Sequence, residues 1–131
     1  MNDIQFLSIE EVVIIHEKMI AIGGGASDIL NIDLLHASVE RPRAMFGGTY
    51  VYISIFDMAA ALIQSLVKNH PFLDGNKRTA FFSGMRFLEI NGHQLSANRE
   101  EIVTFIVSID QDNLSIEKIS QWLSQRAHKQ A

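Results

Sequence analysis

Apolar residues recur every three or four positions along most of the chain, which is the spacing of amphipathic α-helices. No alternation of apolar and polar residues is long enough to build a sheet, so the predicted fold class is all-α, a compact domain of about six helices. The predicted helical segments are 8–22, 31–40, 54–69, 76–90, 98–109 and 115–126. Capping boxes mark two of the starts, Ser8 with Glu11 and Asn98 with Glu101, and glycines from Gly23 onward end the first helix.

Two of these segments are apolar around nearly their whole circumference, which is typical of helices buried on all sides. One contains the run from Ile55 to Val67, and the other contains the run from Ala80 to Ile90. Pro71 follows the first of them as a stop signal. We therefore expect the polar stretch between them, residues 70–79, to comprise a loop and the first turn of the second helix. The core would fix this stretch at both ends, which is the support that a catalytic site requires.

One stretch departs from the helical pattern. Residues 46–52 begin with Phe46 and two glycines and continue with aromatic and β-branched residues. This composition predicts a loop or, at most, a short hairpin.

Length and composition restrict the class of protein. A chain of 131 residues with a hydrophobic fraction of 47% is expected to form one globular domain, 1–131. The sequence contains no cysteine, which excludes disulfides and thiolate metal sites. It has no leader pattern and no run of about 18 apolar residues, so a soluble, cytoplasmic protein without a membrane partner is expected. The net charge of −4 disfavours direct binding to nucleic acid.

His70 and Asp74 are the candidate reactive groups of the polar loop. A histidine titrates near neutral pH, so His70 could act as a general base, although a lone histidine at a helix end more commonly interacts with the helix dipole. Asp74 could hold Mg²⁺, an ion that proteins bind through one or two carboxylates plus substrate phosphates. Followed by Gly75, it could equally form a plain turn.

The next four residues, Gly75, Asn76, Lys77 and Arg78, lie where the following helix is predicted to begin. The free N–H groups of a helix start attract anions, a glycine lets the backbone approach the ligand, and the two cations add charged hydrogen bonds. A lone Lys-Arg pair is more commonly a solvated surface feature. Next to a base and a metal ligand, however, these residues predict nucleotide-dependent transfer to a hydroxyl group, with Mg²⁺ held by Asp74.

Residues 70–78, in the order His-Pro-Phe-Leu-Asp-Gly-Asn-Lys-Arg, closely resemble the H-x-F-x-D-[A/G]-N-K-R signature of the Fic/Doc family and its Doc toxin branch. The resemblance implies the helical Fic fold. It also implies that His70 deprotonates the target hydroxyl, that Asp74 holds Mg²⁺, and that residues 75–78 bind the phosphates of the nucleotide.

Two positions separate this motif from the commoner AMP-transferring form, G-N-G-R-x-x-R. Lys77 replaces its second glycine, and Phe81 replaces its second arginine. Both match the Doc branch, which implies transfer of the γ-phosphate of ATP to a threonine of elongation factor Tu and arrest of translation. Two alternatives stay open: an adenylyltransferase that transfers AMP, and a non-catalytic domain that binds only nucleotide or an antitoxin.

The resemblance also concerns partners. Relatives carry a flap that docks the target at the position of residues 46–52, which assigns target docking to Thr49, Tyr50 and Val51. Relatives are often restrained by an antitoxin. The self-inhibiting pattern [S/T]-x-x-x-E is not evident in the last predicted helix, so a separate antitoxin protein is the expected partner.

Two further features are expected to form no site. His16-Glu17 lacks the second histidine of a zinc-protease helix. The glycine run 23–25 lacks the lysine and Ser/Thr of a phosphate-binding P-loop.

Overall fold

The chain is described by a computed structural model over residues 3–130. The predicted domain bounds, 1–131, thus include terminal residues that lie outside this description. Within the described part, the six predicted helices are present and the mainly helical fold class is confirmed. The helices are α1 (Ile9–Gly23), α2 (Ile32–Glu40), α3 (Ile55–Asn69), α4 (Asn76–Ile90), α5 (Arg99–Gln111) and α6 (Ile116–Arg126). A 3₁₀ turn, Arg41–Arg43, follows α2 and contains Pro42.

The helix starts follow the capping residues of the sequence. Both predicted capping boxes form, at Ser8 with Glu11 and at Asn98 with Glu101. In each box the N-cap side chain accepts a hydrogen bond from a backbone N–H that would otherwise lack a partner. The start of α4 differs, because its N-cap residue is Gly75, which has no side chain with which to cap.

Helix α3 is the centre of the molecule. It packs against α4, α6 and α2, and nine of its residues are buried. Helix α1 packs against α4 and, to a smaller extent, α2. Both ends of loop 70–75 therefore continue directly into core helices, as the sequence predicted.

Two short antiparallel strand pairs complete the described part of the fold. The stretch predicted as a loop or short hairpin forms a hairpin from β1 (Met45–Phe46) and β2 (Thr49–Tyr50). The second pair, β3 (His93–Leu95) with β4 (Ala127–Lys129), was not predicted. Each of its strands has only three residues, too few to show an alternating pattern, and their pairing depends on α5 and α6 returning the chain to the end of α4. No helix in residues 3–130 is long and apolar enough to cross a membrane.

Candidate active site

The loop between α3 and α4 is held on one side by the segment before α2. The N–H groups of Leu30 and Asn31 donate to the carbonyl oxygen of Pro71 at 2.8 and 3.2 Å. The N–H of Leu73 donates to the carbonyl of Asp28 at 2.9 Å. The backbone of the loop is therefore fixed by a partner segment as well as by its two helices.

Asn76 holds the inside of the loop through its side chain. Its Oδ1 atom accepts a hydrogen bond from Phe72 N at 3.0 Å, and its Nδ2 atom donates to Phe72 O at 2.8 Å. The amide is buried, with 5% exposure. The predicted phosphate-binding role of Asn76 can thus involve its backbone N–H, because its side chain is committed to the loop.

His70 is oriented by the same amide. The residue ends α3 in the left-handed conformation, with φ 50° and ψ 55°, and its side chain is exposed. Its Nδ1 atom lies 3.0 Å from Nδ2 of Asn76. An amide nitrogen only donates, so Nδ1 must accept, and the neutral ring carries its hydrogen on Nε2. The nitrogen of His70 that remains free for a substrate is therefore Nε2.

His16 of α1 is a supporting residue that the sequence did not reveal. Its buried ring stacks on Phe72, with ring centres 3.7 Å apart and planes 8° from parallel. Its Nε2 atom lies 2.7 Å from the carbonyl oxygen of Asp74 and donates to it. The helical spacing did indicate that His16 is buried, because it follows Val12 by one turn on the same face of α1, but it did not indicate the contact with the loop.

The carboxylate of Asp74 faces the glycine segment after α1. Its Oδ2 atom accepts a hydrogen bond from Ala26 N at 2.8 Å. No group of three or more potential metal-ligating side chains occurs in residues 3–130. A lone, exposed carboxylate fits Mg²⁺ better than a metal that needs a full protein cage, because Mg²⁺ completes its coordination with water and substrate phosphates.

The side chain of Arg78 reaches the end of α1. Its guanidinium donates to the carbonyl oxygens of Met19, at 2.6 Å, and Gly24, at 3.1 Å. A Cβ atom on Gly23 would lie 1.9 Å from Nη1 of Arg78, so the glycine run is what admits this side chain. The predicted phosphate ligand therefore also caps the last turn of α1.

The start of α4 opens into a cavity of about 270 Å³. Gly75 has a φ of 77°, a conformation that favours glycine. The bond from Thr79 N to Gly75 O is the first of the helix, so the N–H groups before it have no partner within α4. Residues 70 and 73–78 line the cavity, which brings the predicted base, metal ligand and phosphate cradle together.

The predicted docking residues Thr49, Tyr50 and Val51 do not line this cavity. Tyr50 packs against Phe6 with ring centres 5.9 Å apart, and Phe6 packs against Phe87 at 6.0 Å. Phe87 is eleven residues along α4 from Asn76, or about 16 Å at the rise of an α-helix. Phe6 thus connects Tyr50 to the C-terminal half of α4, away from the cavity. Val51 is exposed, and the Thr49 hydroxyl donates within the turn to Phe46 O.

Comparisons with known proteins identify the family of this chain. A model of the Fic/DOC family matches residues 6–88. Toxin Doc of Mycolicibacterium smegmatis is 48% identical over 75 residues, which cover 57% of this chain and 58% of that protein. Protein kinase doc of Escherichia phage P1 is 26% identical over 117 residues, which cover 89% of this chain and 91% of that protein.

The first of these relatives is thus matched over little more than half of its length. The family model covers more than half of this chain, and it contains the whole of loop 70–75 with α3 and most of α4. This chain therefore belongs to the Fic/DOC family, within its Doc branch.

Proposed function

We propose that this chain is a Doc-type toxin that transfers the γ-phosphate of ATP to a threonine hydroxyl of a translation factor such as elongation factor Tu. The observation that carries the proposal is the cavity at the start of α4. It combines an exposed histidine, one carboxylate and free helix N–H groups within a single loop. Phosphoryl transfer needs mainly positioning and charge stabilisation, which these groups can supply.

The proposed roles follow from the contacts of each residue. The backbone of residues 76–78 and the ammonium group of Lys77 bind the phosphates of ATP. Asp74 holds Mg²⁺ through the oxygen that Ala26 leaves free. Bound there, the ion would neutralise charge on the transferred phosphate. Arg78 adds positive charge to the cavity while its guanidinium holds the end of α1 against α4.

His70 is the proposed general base. Its Nε2 atom is the nitrogen available to the target hydroxyl, because Asn76 occupies Nδ1. In the resting ring Nε2 carries a hydrogen. Before Nε2 can accept the proton of the hydroxyl group, the ring must change tautomer: the bond from Asn76 opens, Nδ1 takes a proton from solvent, and Nε2 gives its own hydrogen to solvent.

The identity of the transferred group depends on Lys77 and Phe81. A lysine side chain occupies space where the AMP-transferring motif has a glycine. Phe81 is 2% exposed and packs edge-on against Trp122, so it offers no cation to the terminal phosphates. Both features favour a nucleotide that presents its γ-phosphate. The printed name of the phage relative, a protein kinase, supports the same choice.

The likeness to toxins also supports a partner. We propose that a separate antitoxin protein restrains this chain, and that segment 46–52, with Thr49, Tyr50 and Val51, helps to dock the target. A target in the translation machinery would place the activity in the cytoplasm, with no direct contact to nucleic acid or membrane.

One experiment separates the proposal from its alternatives. Purified protein is incubated with Mg²⁺, a bacterial extract and ATP labelled either at the γ- or at the α-phosphate. The proposal expects the γ-label on a protein of the extract and no α-label. Transfer of the α-label would establish an adenylyltransferase, and nucleotide binding without either label would establish a non-catalytic domain.

A further inference from the structure

The ammonium group of Lys77 is held by a carboxylate from another helix. Lys77 Nζ lies 3.2 Å from Oδ2 of Asp110, in the last turn of α5. The two side chains are 43% and 42% exposed. An ion pair as exposed as this is weak and exchangeable.

Lys68 also lies near Asp110, but it binds mainly to groups other than the Asp110 carboxylate. Lys68 of α3 donates to the carbonyl oxygen of Asp110 at 2.8 Å and to Oδ1 of Asn113. Its ammonium group is 3.9 Å from the Asp110 carboxylate, at the limit of an ion pair. Lys68 is thus engaged mainly by the C-terminal end of α5, where a cation is favourable. Asp110 is left as the counter-ion of Lys77.

Lys77 lies in the first turn of α4, so its ion pair with Asp110 bears on anion binding at that helix start. A lysine in the first turn of a helix opposes the positive end of the helix dipole. Asp110 offsets that repulsion when no anion is bound at α4. The phosphates of ATP would offer the same ammonium group a more highly charged partner, so ATP and Asp110 compete for Lys77.

We propose that Asp110 is a positioning residue of the nucleotide site. By holding Lys77 on α5, it weakens ATP binding and sets where the ammonium group stands when the phosphates arrive. This inference rests on the proposed nucleotide-binding function. It adds a residue more than thirty positions from the loop, on an element that the motif does not include.

Calorimetric titration with ATP tests the inference. Asp110→Asn keeps the shape of the side chain and removes its charge. Its affinity for ATP should rise about two- to fivefold at low salt, the equivalent of an exposed ion pair, and the gain should shrink as salt screens the pair. Affinity for adenosine, which has no phosphate, should not change.

Two further variants assign the effect to Lys77. Asp112→Asn makes the same change of charge two residues away, at a side chain with no ion pair in residues 3–130, and should leave ATP affinity unchanged. In a Lys77→Gln background, Asp110→Asn should lose its gain, because the competition no longer exists.

The outcomes separate this inference from the function on which it rests. A wild-type protein that binds no ATP would refute both the proposed function and the inference. A wild-type protein that binds ATP would refute the inference alone if Asp110→Asn gave no gain. An equal gain from Asp112→Asn, or a gain retained without Lys77, would also refute it.

Discussion

The ring of His70 and the side-chain amide of Asn76 form one hydrogen-bonded unit, with Nδ1 and Nδ2 3.0 Å apart. The amide cannot turn over, because its two ends are bonded to the N–H and the carbonyl of Phe72. The orientation of Asn76 thus determines which nitrogen of His70 carries the hydrogen. The two motif residues, six positions apart, therefore act together: His70 is the proposed base, and Asn76 fixes its tautomer.

The tautomer of His70 can be observed directly. At a pH where the ring is neutral, ¹⁵N-detected NMR of wild-type protein should show His70 with its hydrogen on Nε2. His70→Ala assigns the signal among the five histidines. A predominant Nδ1–H form would contradict the hydrogen bond from Asn76 and the order of proton movements proposed above.

Replacing His70 should strongly slow transfer while sparing nucleotide binding. His70→Ala removes a general base, so the transfer rate should fall by about 10²- to 10⁴-fold. His70→Gln places an amide N–H near the position of Nε2 and should be as slow as the alanine variant, because an amide does not accept the proton. Single-turnover kinetics with γ-labelled ATP gives both rates. A glutamine variant with near wild-type activity would show that His70 only donates a hydrogen bond.

His16 should position the loop without touching the substrate. His16→Phe keeps an aromatic ring against Phe72 but loses the donor to Asp74 O, a bond worth about 0.5–1.5 kcal/mol. We expect weaker binding of Mg²⁺-ATP, about two- to tenfold, in a protein that remains folded. His16→Gln restores a donor without the stacked ring and should recover much of the affinity. Equal affinities of the phenylalanine variant and wild type would limit His16 to packing.

The sequence was most informative where a single residue type decides a local structure. The capping residues predicted the helix starts, and the two glycines 47–48 predicted the hairpin. It was least informative where distant segments meet. Nothing in the residues near Arg78 indicated that its guanidinium caps α1, and nothing near Asp74 indicated a bond from Ala26. Those contacts depend on how α1 lies against α4, which local patterns do not encode.

The glycine run 23–25 is another feature whose role depends on segments distant in the sequence. In the sequence, residues 23–25 resembled a plain helix stop without function. In the structure their missing side chains make room for Arg78 and Asp74. A run of three glycines was a signal of close approach, but only the fold shows what approaches.

Asp74 should account for the metal dependence of nucleotide binding. Asp74→Asn keeps an oxygen that can accept from Ala26 N and removes the charge that would hold Mg²⁺. In calorimetric titrations, ATP affinity of the wild type should increase with Mg²⁺, and that of the variant should not. An affinity of Asp74→Asn that still increased with Mg²⁺ would place the metal on other groups.

The mass gained by the target protein tests the central claim most directly. Wild-type protein and His70→Ala are incubated with ATP, Mg²⁺ and purified elongation factor Tu, and the intact factor is weighed by mass spectrometry. The account predicts a gain of about 80 Da, one phosphate, with the wild type and no gain with the variant. A gain of about 329 Da, the mass of an AMP group, would contradict γ-phosphate transfer and assign this site to adenylylation.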